Sequence, residues 1–440
     1  MITAPFHHQT IQALFSQERS LFYWIKVETA LAVVQGELGV IDPISAEAIQ
    51  TALVTFQPDN PRLQAAIEKS GVPIAELVRQ LRQQVGLPHG NFVHFGATTQ
   101  DIMDTALVMQ LRAAMQTIAP LLRRLIKRWA TLADTHRNTL MAGRTHSQQA
   151  LPLSFGLKVA NWLAPILRHN MRLTELLPRL LVVQFGGAAG TLSALGAHGM
   201  VVQAALADEL GLGVPTTPWH SQRDNLVEFA NWLALLSGSL AKMAQDVILM
   251  AQSEVAELRE SADPTRGGSS TMPQKANPIQ SEMILAAHRT NIGLLANMQQ
   301  ALVHEHERAT GAWQVEWLNL PQMVSLTAAA LERAVWLSDN LVVNVERMRA
   351  NVAASNGVML GEALNFALAP YIDRAEAKRL IKAVVQSVIA NKGHLVDLVR
   401  QSVSSEVASQ VDWDTLRDEA TYLGSAEIII DRTIAAANCL

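Results

Sequence analysis

Cysteine is almost missing from this sequence: the only one among 440 residues is Cys439. A disulfide framework within the chain is thereby excluded, and a reducing, cytoplasmic setting is expected. Charge is scarce as well. Asp, Glu, Lys and Arg together make up 17% of the chain, and the net charge is −4. That balance offers no basic field to attract nucleic acid. So thin a charged surface is what large buried subunit interfaces would leave. The first dozen residues lack a charged stretch followed by an apolar run, so no signal peptide is expected. The most apolar stretch, residues 181–202, is interrupted by Gln184, His198 and five glycines, which favours a buried segment over a membrane span. Period-two alternation is nearly missing too, with residues 181–184 and 427–430 the only short β-like runs.

Helical periodicity is abundant instead. Residues 16–38 place Leu21, Ile25, Val27, Leu31 and Val34 at helical spacing, with Ser16 as N-cap and Gly39 at the C-terminal end. Residues 45–56 and 73–85 are shorter helical stretches. Longer ones run from about 101 to 136, then over 151–181, 225–260, 279–307 and 318–352. Glycines and a proline break the pattern between 85 and 99. The reading is all-α, with a central bundle of long helices. A chain of this length exceeds one core, and the boundaries read as 1–105, 106–350 and 351–440. No internal repeat or low-complexity tract is visible.

Three polar runs stand out against this apolar background. Residues 267–278 read Gly-Gly-Ser-Ser-Thr-Met-Pro-Gln-Lys-Ala-Asn-Pro. Two hydroxyls (Ser269, Ser270), one ammonium (Lys275) and one amide (Asn277) share a turn-rich loop, a combination that suits an anion and not a core. Asn277 before Pro278 also reads as a helix N-cap, with Gln280 at the capping-box position. The two roles are compatible, because a helix N-terminus is itself an anion site. The second run is His94-Phe95-Gly96-Ala97-Thr98-Thr99-Gln100-Asp101. Thr98 and Asp101 form a capping box, or else the Thr98 and Thr99 hydroxyls and Gln100 bind a carboxylate. The third is Gly143-Arg144-Thr145-His146-Ser147-Gln148, where His146 is either a structural hydrogen-bonder or a general acid. Residues 304–308, His-Glu-His-Glu-Arg, lack the His-Glu-x-x-His zinc spacing. His304 and His306 would face different sides of a helix, so no metal is expected.

These runs resemble the three active-site regions of the fumarase/aspartase superfamily. Gly268, Ser269, Ser270, Met272, Pro273, Lys275, Asn277 and Pro278 match its signature loop. The resemblance implies a three-domain, mainly α fold and a homotetramer whose active sites are each shared by three subunits. It implies Ser269 as the base that takes a proton next to a carboxylate, with His146 and Lys275 assisting. Thr98, Thr99, Gln100, Thr145, Ser270 and Asn277 would hold the substrate. Two negative charges develop on one carboxylate in such a step, so preorganised positive charge is needed where they form. Glycines 267 and 268 would let the loop close.

Other stretches are similar to bacterial 3-carboxy-cis,cis-muconate cycloisomerases: Trp219-His220-Ser221-Gln222-Arg223-Asp224, His306-Glu307-Arg308, Gly311-Ala312-Trp313-Gln314 and Asp373-Arg374-Ala375-Glu376-Ala377. That family implies lactone formation from a tricarboxylate in protocatechuate breakdown, without a cofactor. Gln222, Arg223 and Arg308 are then candidate substrate contacts. Both arginines read equally well as structural ion pairs, Arg223 with Asp224 on the surface. The signature loop departs from the cycloisomerase pattern at Gln274 and Ala276, and Gln-Lys resembles argininosuccinate lyases. The alternatives are a C–N lyase releasing fumarate and a catalytically silent structural homologue.

Overall fold

A computed structural model describes residues 1–263, 265–268, 271–390 and 393–439. The chain is mainly α-helical. Its longest helices are Gln17–Glu37, Thr99–Thr135, Phe155–Leu180, Asp224–Met250, Ile279–Gln300 and Ala312–Asn340. Local chemistry sets several of their ends. Ser16 Oγ accepts from Arg19 N at 3.2 Å and caps the first of them.

Two compact units form. The first comprises Met1–Pro120, His169–Ser237 and Ala286–Ala330. Its core packs Leu31, Ile74, Leu81, Ile102, Phe185 and Leu206, all buried. The second comprises Leu121–Arg168, Gly238–Leu285 and Leu331–Leu440. One cluster there gathers Leu364, Ala377, Leu395, Val399 and Trp413, and a smaller one sets Ala142 against Val352 and Met359.

Several sequence-based bounds move. The helix expected over 279–307 stops at Gln300, and the next starts at Ala312 instead of 318 and ends at Asn340. His304 to Arg308 therefore lie in irregular chain and not on the faces of a helix. The helix expected over 225–260 ends at Met250. Residues 427–430 are not β: their isoleucines belong to the helix Ala426–Asn438, which buries Ile430. The β propensity of branched residues is weak against such packing. Within 181–184, Val182 makes only an isolated bridge to Gly213.

The largest departure is residues 140–154. Part of this stretch was expected to be helix, but Leu140–Thr145 and Gln148–Ser154 form an antiparallel hairpin. Its register pairs Thr145 with Gln148 and slips between Ala142 and Arg144. The strand Gln148–Ser154 buries only Pro152 and Ser154, so no apolar alternation announces it. Among the described residues, the helix Asp224–Met250 is long and apolar enough to cross a membrane by length and composition alone; 56% of its apolar window is buried, as in a core helix. Residues 181–202, the candidate read from sequence, do not form one helix.

Candidate active site

In the first unit, the Thr99–Thr135 helix starts at the Thr98-Thr99-Gln100 run. Thr98 N donates to Asp101 Oδ2 at 3.0 Å, which is one half of the expected capping box. The Thr98 hydroxyl does something else: it accepts from Arg308 Nη1 at 2.8 Å. Arg308 Nη2 donates to the Ala188 carbonyl at 2.8 Å. Two candidates 210 residues apart in sequence are thus brought together. Thr99 is half-buried beside them.

Asp101 organises this corner, a role that capping alone did not suggest. It is buried and accepts from the backbone of Gly186 and Gly187, each at 2.9 Å, and lies 2.7 Å from His220 Nε2. It thereby holds the segment whose carbonyls take Arg308. His94 sits close by in chain, at φ +63°, with Nδ1 2.7 Å from Glu28 Oε1. Burial pushes its pKa down, but the Glu28 charge and hydrogen bond outweigh that, so the net shift is upward.

Arg223 and Gln100 are both buried, and the surface pair expected for Arg223 is corrected. Arg223 is 1% exposed. It does not pair with Asp224 on the surface. Nη1 and Nη2 bond Asp104 at 2.6 and 3.0 Å, while Nε and Nη2 bond Glu316 at 2.8 and 2.5 Å. Burial opposes its charge, yet these two carboxylates raise its pKa above the ordinary arginine value. With its donors committed inside the core, the guanidinium serves an ion pair and not a substrate. Gln100 is fully buried and donates to Asp104 at 3.0 Å and to the His220 carbonyl at 2.9 Å. Its amide nitrogen is committed to the same buried network. Gln222 is exposed and accepts from the Thr217 hydroxyl at 3.3 Å.

In the second unit, the polar loop is folded back on itself. Asn277 N donates to Gly267 O at 2.8 Å, Gly268 bridges Ala276, and Lys275 N closes a turn onto Met272 O at 3.1 Å. Gly267 adopts φ +70°, and a Cβ there would stand 2.3 Å from Asn277 O. Close backbone approach therefore demands this glycine, a more specific reason than loop mobility. Ser269 and Ser270 lie outside the described residues.

Asn277 does not cap the following helix, nor does Gln280 complete a capping box. Glu260 does the capping: its carboxylate accepts from Gln280 N at 2.9 Å, and from Ser281 N and Oγ at 2.7 Å each. The Asn277 side chain is released from that duty. Lys275 and Asn277 line a cavity of about 960 Å³, as do Gln274 and Ala276. Arg266 lines it as well, its guanidinium 4.6 Å above the Trp336 ring. Sequence reading passed over Arg266, although it directly precedes the signature glycines. The volume suits a small organic anion.

Thr145 and His146 belong to the hairpin tip. His146 (φ +49°) and Ser147 (φ +63°) make its two-residue turn, and both are exposed. Neither Thr145 nor His146 is among the residues lining the cavity.

A mainly helical scaffold whose described signature-loop residues Met272, Lys275, Asn277 and Pro278 line a cavity is what an enzyme of the lyase type carries. A family model described as lyase matches residues 11–293. The chain belongs to this family, the fumarase/aspartase superfamily. It is 40% identical to a 3-carboxy-cis,cis-muconate cycloisomerase of Pseudomonas aeruginosa, over all of this chain and 97% of that protein. It is also 40% identical to one of Bradyrhizobium diazoefficiens, over 96% of this chain and 95% of that one. The crystal structure of a 3-carboxy-cis,cis-muconate lactonizing enzyme from Pseudomonas putida superposes with a TM-score of 0.93 at 37% identity, covering 100% of this chain and 99% of the other.

Proposed function

We propose that this enzyme cycloisomerises 3-carboxy-cis,cis-muconate to a carboxymuconolactone. The observation that carries the reading is end-to-end similarity to proteins so named, 40% identical to the Pseudomonas aeruginosa one over the whole chain. In this reaction a substrate carboxylate oxygen adds to one end of a carbon–carbon double bond, and the other end gains a proton. Nothing enters or leaves. Run backwards, it is removal of a proton next to a carboxylate with loss of a carboxylate leaving group.

Ser269 is the proposed proton-transfer group. Lys275 and Asn277 would stabilise the doubly charged carboxylate, because both line the cavity and neither is spent on capping the next helix. His146 would donate or orient a proton, and Thr145 and Ser270 would hold substrate carboxylate. Thr98, Thr99, Gln222 and Arg308 are proposed for the same task. A homotetramer with shared sites, a cytoplasmic setting and a role in protocatechuate breakdown complete the reading.

The test uses synthetic 3-carboxymuconate and purified protein. Loss of diene absorbance with a lactone by NMR is expected. Ser269→Ala should slow turnover by about 10²–10⁴-fold. Full turnover by that variant would sink the assignment of the base. Gln274 and Ala276, both lining the cavity, favour a second reading. Fumarate released from argininosuccinate or adenylosuccinate, with no lactone from carboxymuconate, would establish it in place of the first.

A further inference from the structure

The hairpin tip poses a physical problem. His146 and Ser147 both occupy the left-handed region, at φ +49° and +63°. Neither residue is glycine, and each such position persists only where its surroundings over-determine it. The tip itself is exposed from Thr145 to Gln149, so packing at the tip does not hold it. The restraint comes from one step down the ladder.

Arg144, two residues before His146, reaches a carboxylate that is fully buried. Its Nη2 and Nη1 bond Glu257 Oε1 and Oε2 at 2.7 and 2.9 Å. Asn351 Nδ2 donates to the same Oε1 at 2.9 Å and to the Val255 carbonyl at 2.8 Å. The other strand is tied to the same point, since Gln149 Nε2 donates to Asn351 O at 3.5 Å. Glu257 is itself fixed at the backbone: its N donates to Met250 O at 2.9 Å, and its O accepts from Asn344 N at 3.0 Å. The ladder slips beside Gly143, and a Cβ there would stand 2.9 Å from the Leu151 carbonyl. Beyond that slip Arg144 and Thr145 pair again with Gln149 and Gln148, and the planar, bidentate ion pair ties this end of the strand to the buried Glu257.

We infer that Glu257, with Arg144 and Asn351, is a positioning group that holds the hairpin turn so that His146 presents its imidazole in one orientation. The clamp acts on the proton transfer through His146. It rests on the reading of His146 as a proton-handling residue under the proposed function. Glu257→Gln keeps the shape and removes the charge that sets the bidentate pair. Misplacing a reacting group by about 1 Å costs around 10²-fold. A loss of that order should appear in kcat, while any displacement of Thr145, which shares the turn and is proposed to hold substrate carboxylate, is read separately in KM.

The experiment is a double-mutant cycle in kcat on 3-carboxymuconate, using Glu257→Gln, His146→Ala and the pair. The expected result is a loss of roughly 10²-fold in the His146 background and no further loss once His146 is alanine. Equal losses in both backgrounds would overturn the inference and leave the role of His146 standing. Wild-type kcat in His146→Ala would overturn the reading of His146 and the inference with it. Arg144→Lys keeps the charge and loses the fork. It runs through the same cycle and is read the same way if Glu257→Gln fails to fold.

Discussion

Replacing Arg223 by methionine separates a structural arginine from a substrate-binding one. The guanidinium joins Asp104 and Glu316, each 1% exposed, through four N–O contacts of 2.5 to 3.0 Å. Without it, Asp104 keeps the Trp313 indole N–H at 3.1 Å and the Gln100 amide at 3.0 Å. Glu316 is left worse off, with His304 Nε2 at 3.7 Å as its remaining ion-pair partner among the described residues. Removing one partner of a buried pair costs about 3–5 kcal/mol, because the remaining charge stays desolvated. For a chain of 440 residues, an unfolding entropy of about 2.1 cal/mol/K per residue gives roughly 0.9 kcal/mol/K. The midpoint should then fall by about 3–6 °C in a melt followed by circular dichroism. KM measured well below that midpoint should not change. Adding Glu316→Gln should recover part of the loss, since it removes the orphaned charge. An unchanged midpoint together with a tenfold rise in KM would refute the structural assignment.

Two further expectations concern the site's surroundings. Gly267→Ala puts a Cβ 2.3 Å from Asn277 O at φ +70°. That strain of about 1–3 kcal/mol should displace Asn277 and lower kcat/KM at least tenfold in steady-state assays, while the melting midpoint moves by little. The His94–Glu28 pair predicts a pH dependence. Burial opposes the His94 charge, but Glu28 raises the pKa above 6.5 in the fold, so the folded state binds this proton more tightly than the unfolded one. The pair's stabilisation is therefore complete below pH 6.5 and is lost as pH rises through the folded value. Urea midpoints measured across this window should show that decline in the wild type and a flatter profile in Glu28→Gln.

Much of this protein is legible in its linear pattern. Helical spacing in residues 16–38 and a Ser16 cap gave the Gln17–Glu37 helix nearly to the residue, because cap and periodicity are local properties. The polar loop at 267–278 pointed to the family through residue type alone. The hairpin at 140–154 was hidden, since its outer strand buries too little to show alternation. Arg223 was ambiguous because nothing near it in sequence names Asp104 or Glu316 as partners.

The sequence by itself determined the helical class, the family and the identity of the polar groups, all of which follow from short-range order and composition. Only the tertiary structure decided how those groups are used. It withdrew Arg223 and Gln100 into the core, gave the cap after the signature loop to Glu260, and tied the His146 turn to Glu257. Each of these choices joins residues distant in the chain. Burial and long-range hydrogen bonding set them, and no local pattern records either.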